Sequence, residues 1–238
     1  MPVAIVTGGS RGIGKAIVER LTDLGWSVTF CYAANDTAAT ALSQATGAVA
    51  VRADVADKAA INALASEVVA RHGKIDLLVN NAAVSYTGLF NDITDAQWQS
   101  MRAVNIDGVI NSTAAVLPFM IAAHSGRIVN ISSVWGMVGA SCEVHYSTTK
   151  AAVIGFTRSL AKEVGPSGIT VNCIAPGVID TDMNLHLTDA DISQLEAETP
   201  LCRIGKPEEI AGTVAFLAGE EAAFITGQVI AVDGGFAL

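Results

Sequence analysis

The residues VAIVT at positions 3–7 run directly into GGSRGIGKAI, and this junction constrains the fold more than any other part of the chain. A strand with no alternating polar face belongs in a sheet covered on both sides. Behind it come Gly8, Gly12 and Gly14, and then an amphipathic helical pattern. Residues without a β-carbon permit a tight turn and let backbone N–H groups approach an anion at the positive end of the next helix. Strand, glycine turn and helix in that order predict the first half of a βαβ unit with a dinucleotide pyrophosphate at the turn.

The same alternation continues to the end of the chain. Apolar, β-branched runs recur as SVTFCY, AVAVRAD, IDLLVN, RIVNIS, ITVNCIA and QVIAVD, separated by helix-length segments. Two of those segments carry clear stop signals: GIGKAIVERLTDLG ends at Gly25, and DKAAINALASEVVARHG runs from an acidic start to a basic last turn and Gly73. Further helices are expected after TDAQW, through YSTTKAAVIGFTRSLAKEVG and after KPEEI. The expectation is a doubly wound α/β Rossmann fold, with a seven-stranded, mainly parallel sheet and helices on both faces. No repeat or linker divides the chain, so residues 1–238 are read as one domain.

An apolar fraction of 51% over 238 residues supports a large core, and no run of about 20 unbroken apolar residues suggests a membrane anchor. A net charge of −9 opposes a nucleic-acid partner, whose phosphates require a basic stripe. Cys31, Cys142, Cys173 and Cys202 lack metal-type spacing, the four histidines are scattered, and MPVAIVTGG enters a strand without a basic leader. A cytoplasmic protein without a metal centre is expected.

Which dinucleotide is bound depends on the end of the second strand. A ribose diol is usually held by an acid about 20 residues beyond the glycines, but FCYAAND has none at the strand tip. Asp36 lies slightly farther along and reads either as a ribose ligand or as part of a helix cap. Arg11, inside the glycine turn, suits a 2′-phosphate, which favours NADPH over NADH.

Tyr146 and Lys150 stand four residues apart in HYSTTK, on one face of a predicted helix. An ammonium beside a phenol favours phenolate and lowers its pKa, as a general acid serving a carbonyl oxygen requires. The spacing alone equally describes an ordinary helix surface. Ser133, at the end of the strand in GRIVNISSVWG, lies thirteen residues before Tyr146, at the strand edge where open α/β sheets gather ligands.

Taken together, these motifs resemble the short-chain dehydrogenase/reductase family across essentially the whole chain. The matching residues are Gly8, Gly12 and Gly14, NNAA at Asn80 to Ala83, Asn105 in VNIDG, Ser133, the YxxxK pair Tyr146 and Lys150, and the PG turn of Pro176 and Gly177. The resemblance implies that Ser133 orients the carbonyl, Tyr146 donates the proton, Lys150 holds the nicotinamide ribose and acidifies the phenol, and Asn105 anchors a relay water. It also implies cofactor contacts from Ser10, Ile13, Asp54, Val55, Asn81, Ala82, Ala83, Ile179 and Thr181. Tyr32 stands where NAD-preferring members carry Asp.

Within the family the chain is most similar to 3-oxoacyl-(acyl-carrier-protein) reductases, notably from DTDMNLHLTDAD onward, where residues 183 to about 203 would form a substrate lid. His124, Ser125 and Ser167 replace basic residues that such members present to the carrier, which leaves a coenzyme A thioester or a free ketone open. SSVWGMVGASCEVHYS also resembles reductases of the 5-aminopentanone group on elongation factor P, and Glu143 there would attract a substrate amine. The family further implies a homotetramer built on helices holding residues 111–120 and 151–162. A dinucleotide-binding sensor without catalysis is the alternative of another class, since fold alone does not establish function.

Overall fold

In a computed structural model, residues 1–184 and 187–237 are described. Strand β1 (Val3–Thr7) leads into helix α1 (Gly12–Asp23), β2 (Ser27–Tyr32) into α2 (Asp36–Thr46), and β3 (Val49–Arg52) into α3 (Lys58–His72). After β4 (Leu77–Asn80) come α4 (Asp95–Arg102), a π-helical turn at Ala103–Asp107, and α5 (Gly108–Ala123). Strand β5 (Gly126–Ile131) is followed by a short α6 (Trp135–Val138) and the long α7 (Val144–Val164). The chain closes with β6 (Ile169–Pro176), α8 (Asp189–Glu198), α9 (Pro207–Ala218) and β7 (Val229–Val232).

The seven strands form one sheet in the order β3-β2-β1-β4-β5-β6-β7. Every pairing is parallel, so the expectation of a mainly parallel sheet becomes a wholly parallel one. The absence of an alternating polar face has a direct explanation. Ala4 and Val6 of β1 enter one core with Ile17, Leu21, Ile210 and Val214, while Val3 and Ile5 enter the other with Leu64, Val68, Val116 and Ile169. Helices α1 and α9 pack together on one face, and α3 and α5 on the other.

Polar side chains also enter the interior, as a ladder that ties helices to the sheet. Asn80 and Asn130 are register partners on β4 and β5. Asn80 Nδ2 donates to Asn130 Oδ1 at 2.8 Å and to Thr113 Oγ1 of α5 at 3.1 Å, and Asn130 Nδ2 donates to Thr157 Oγ1 of α7 at 2.9 Å. Buried amides of this kind are costly unless paired, so the ladder specifies how α5 and α7 sit on the strands.

Local structure adds detail around the strands. Asn35 rather than Asp36 caps α2, accepting from the Ala38 N–H at 3.0 Å. His145 lies inside α7, with its ring stacked on Phe90 at 5.0 Å. The helical run Asp95–Ala123 holds an 18-residue window of mean hydropathy 1.5, apolar enough by length and composition to cross a bilayer, although polar residues such as Asn105, Asp107 and Asn111 interrupt the run. Here α5 packs on β4, β5 and α3, which explains its apolar content. In the expected lid, 183–203, α8 occupies the centre, and residues 185 and 186 lie outside the described residues.

Candidate active site

The strand order reverses between β1 and β4, which opens a crevice at their carboxyl ends where α/β sheets bind ligands. The glycine turn lines it. A β-carbon on Gly8 would come within 2.8 Å of Ala82 Cα, and Gly8 already has a φ of +65°. A β-carbon on Gly14 would collide with the Gly8 carbonyl and lie 2.5 Å from Asn81 Nδ2. Arg11 caps α1 with an extended backbone and no side-chain hydrogen bond to the helix, and no acid occupies the first turn. The amino-terminal N–H groups of α1 therefore suit an anion, and a dinucleotide pyrophosphate fits the residues present.

Asn81 serves this turn directly. Its Nδ2 donates to the carbonyls of Thr7 and Gly8, each at 3.0 Å, while Thr7 Oγ1 accepts from the N–H groups of Asn81 and Ala82 at 3.0 and 3.1 Å. Both amide hydrogens are thus committed to shaping the glycine loop. Ser10 is buried, and Ile13 packs against the core beneath the turn.

On the opposite wall, Pro176 ends β6 and its carbonyl accepts from the Val134 N–H at 2.9 Å. Gly177 lies so near Asp233 that a β-carbon would be 2.8 Å from its Cα. Ile179 is buried, and Thr181 Cγ2 lies 3.3 Å from the place of a β-carbon on Gly12. The segment after β6 thus reaches back to the start of α1.

At the end of β2, the Asp36 carboxylate lies near enough to the Tyr32 hydroxyl to raise its pKa, and it also faces Arg52 at 3.6 Å. These two contacts give Asp36 a local structural role in this arrangement. Asp54 is exposed and accepts from the Ala56 N–H at 2.9 Å, while Val55 is buried against Gly108, where a β-carbon would stand 2.6 Å from Val55 Cγ2.

Ser133, Tyr146, Lys150 and Asn105 are all buried and converge beside this crevice. The Ser133 hydroxyl lies close enough to the Tyr146 phenol to lower its pKa, and Ser133 Oγ accepts from the Trp135 N–H at 3.2 Å. Lys150 Nζ donates to the Ile131 carbonyl at 2.9 Å and lies 5.5 Å from the Tyr146 ring centroid. Ser132 Oγ donates to the Lys150 carbonyl at 2.8 Å, and Gly136 permits α6 to press on the Lys150 backbone.

Asn105 sits in the π-helical turn. Its Nδ2 donates to the Val84 carbonyl at 2.8 Å and to Thr149 Oγ1 at 3.0 Å, and its Oδ1 accepts from the Val84 N–H at 2.9 Å. With both donors used, a relay water at this side chain has only the second lone pair of Oδ1 to donate to.

The electrostatics correct one expectation. Burial raises the Tyr146 pKa above its ordinary value, the nearby Glu143 charge adds to the rise, and the Ser133 hydrogen bond opposes it. In this arrangement burial outweighs any acidifying effect of Lys150 on the phenol. Its ammonium is turned to the Ile131 carbonyl, and its own pKa is pushed down to about 8 by burial, with the adjacent Cys173 opposing. Tyr146 consequently keeps its proton at neutral pH and can deliver it to an acceptor. Glu143, just before α7, accepts from Ser85 Oγ and Thr87 Oγ1, both at 3.0 Å.

Ser85, Thr87, Thr149 and Arg52 were not singled out from the sequence. Only Arg52 carried a visible signal, as a lone cation in the apolar run AVAVRAD.

Residues 8–237 match the family model described as Enoyl-(Acyl carrier protein) reductase. A Synechocystis protein named 3-oxoacyl-(acyl-carrier-protein) reductase is 43% identical, across 99% of this chain and 97% of that protein. Proteins of that name from Staphylococcus aureus and Escherichia coli are 41% and 40% identical, each across 98% of this chain and 96% of the relative. A solved double mutant of a Serratia marcescens short-chain dehydrogenase/reductase superposes with a TM-score of 0.93 at 39% identity, covering 100% of this chain and 98% of that one. The chain belongs to the short-chain dehydrogenase/reductase family. The family's serine, tyrosine and lysine pattern corresponds here to one buried cluster, and its glycine motif to the turn at the β1–β4 crevice.

Proposed function

We propose that the protein is an NADPH-dependent carbonyl reductase whose principal substrate is a 3-oxoacyl thioester. The observation that carries this reading is that Ser133 and Tyr146 are buried together, with the Ser133 hydroxyl close enough to lower the phenol pKa, next to a crevice suited to a dinucleotide. Two hydroxyls meeting in a buried site suit a carbonyl oxygen, which accepts one hydrogen bond from each. The resemblance of the whole chain to proteins named 3-oxoacyl-(acyl-carrier-protein) reductases supports the substrate class.

Reduced nicotinamide would supply the hydride. On this reading Ser133 holds the ketone oxygen, and Tyr146 transfers its phenolic proton to that oxygen as negative charge develops there. Lys150 binds the nicotinamide ribose, and its charge stabilises the phenolate left behind. Asn105 holds the segment after β4 against α7 and positions a water that returns the proton. Gly8, Ser10, Arg11, Gly12, Ile13 and Gly14 cradle the pyrophosphate. Asp54, Val55, Asn81, Ala82 and Ala83 line the adenosine side, with Tyr32 near the 2′-phosphate and Pro176, Gly177, Ile179 and Thr181 at the carboxamide.

Mixing the protein with NADPH and acetoacetyl-CoA and following the loss of reduced nicotinamide absorbance tests the reading. Turnover is expected. Cofactor binding without turnover of any thioester or ketone would favour a non-catalytic sensor instead.

A second reading has its own observation. Glu143 places a carboxylate beside Tyr146, held by Ser85 and Thr87 and with no cation beside it among the described residues. Such a group suits an amino ketone, including a 5-aminopentanone group carried on a protein.

The proposal extends to a cytoplasmic, single-domain homotetramer. Ala151, Ala152 and Gly155 face outward from α7 and leave a small-residue surface on which a second copy can pack closely. Neither a nucleic-acid nor a membrane partner is part of this reading.

A further inference from the structure

Strand β2 lies between β1 and β3, and its carboxyl end is flanked by an arginine on each side. Arg11 comes from the glycine turn, which is pressed onto β2: the Gly9 N–H donates to the Cys31 carbonyl at 3.1 Å, and a β-carbon on Gly9 would lie 2.5 Å from Phe30 Cβ. Arg52 ends β3 in register with Tyr32. Its Nε donates to the Ala33 carbonyl at 3.3 Å, which swings the guanidinium across the loop between β2 and α2.

That one bond uses the inner edge of the fork. Nη1 faces Asp36 Oδ2 at 3.6 Å, too long for a strong hydrogen bond, and 65% of the Arg52 side chain is exposed. Asp36 in turn lies near the Tyr32 hydroxyl, whose pKa it raises, and stands in the first turn of α2, where the helix dipole favours its charge. Arg52 is therefore oriented by backbone and loosely neutralised by one carboxylate. A phosphomonoester, with more charge and two or three oxygens in fork geometry, is a better partner for it.

We infer that Arg52, rather than Arg11 alone, decides the choice between NADPH and NADH, gripping the adenosine 2′-phosphate while Asp36 serves as the counter-ion that the phosphate displaces. This rests on the NADPH reading above. Asp36 holds the fork in place without phosphate and competes with phosphate for it, so the two residues have opposite effects on discrimination.

The test uses binding rather than turnover. The full-length protein is titrated with 2′,5′-ADP and with 5′-ADP by calorimetry at fixed ionic strength. Wild type is expected to prefer 2′,5′-ADP. Arg52→Gln should weaken 2′,5′-ADP by about 10-fold or more while leaving 5′-ADP unchanged, as expected for a lost charge-assisted pair. Arg52→Lys should recover part of the loss, and Asp36→Asn should strengthen 2′,5′-ADP several-fold. Equal weakening of both nucleotides in Arg52→Gln, or no weakening, overturns the inference while the NADPH reading stands. A wild type that binds the two nucleotides equally overturns both.

Discussion

Lys150 Nζ donates a 2.9 Å hydrogen bond to the main-chain carbonyl of Ile131, the last residue of β5. This bond turns a cation inward at the end of a strand, beneath the tyrosine one helical turn earlier. It also buries a charge with one neutral acceptor, and burial lowers the Lys150 pKa from 10.5 to about 8.

That shift has a measurable sign. Between about pH 8 and 10.5 the unfolded chain holds this proton more tightly than the folded one, so deprotonation relieves a burden and stability rises with pH across that window. Lys150→Met removes the burden altogether. Its Tm relative to the parent should be highest below pH 8 and should fall steadily from pH 8 to 10.5. The lost bond to Ile131 is a constant offset, so the slope is the test. A Tm difference that does not change with pH would sink the assignment.

Tyr146→Phe retains the ring that lies 5.5 Å from Lys150 Nζ and deletes only the hydroxyl. Turnover of acetoacetyl-CoA should fall by about 100- to 10,000-fold, the usual contribution of a general acid. NADPH affinity, read by nicotinamide fluorescence, should stay within a factor of about two of the parent if the phenol works mainly in the transition state. Normal turnover would remove Tyr146 from the mechanism.

Glu143→Gln removes a charge that raises the Tyr146 pKa while keeping a hydrogen-bonding side chain beside Ser85 and Thr87. If the carboxylate receives a substrate amine, KM for amino ketones rises more than KM for neutral ketones. Steady-state kinetics on both classes decides the matter, and equal changes reject the amino-ketone reading.

Two glycines should respond oppositely to a methyl group. Gly14→Ala drives a β-carbon into the Gly8 carbonyl, which is backbone and cannot swing aside. Overpacking of this kind costs about 1–3 kcal/mol. In a chain of this size that is a fall of several degrees in Tm, at about 2–4 °C per kcal/mol. Gly212→Ala, on the exposed side of α9, meets nothing within 4 Å and should gain stability through helix propensity, by about 0.5–1 kcal/mol. Thermal melts of the two variants check both signs.

The outward face of α7 offers a test of assembly. Ala152→Arg places a long cation where Ala151 and Gly155 leave only small side chains, so light scattering should report a smaller assembly with unchanged circular dichroism. An unchanged mass would remove this helix from the interface.

Much of the site was legible because its chemistry is local in the chain. Tyr146 and Lys150 are one helical turn apart, and Gly8, Gly12 and Gly14 fall within one turn and helix start. Ser133 was placed by the end of a strand whose apolar run was plain. The contacts around Glu143 were not legible, since Ser85 and Thr87 lie 58 and 56 residues away from it. Nor was the pairing of Arg52 with Asp36, which depends on β2 and β3 being neighbours in register.

The sequence by itself determined the alternation of strands and helices, the two-sided burial of the sheet and the placing of Tyr146 and Lys150 one helical turn apart. Periodicity, missing β-carbons and four-residue spacing act over short distances, so residue order suffices to read them. Only the tertiary structure decided which way Lys150 turns, that burial outweighs the ammonium in setting the Tyr146 pKa, and that Asp36 is engaged by Tyr32 and Arg52. Those outcomes depend on solvent exclusion and on atoms brought close by the sheet, and neither is encoded in the spacing of residues along the chain.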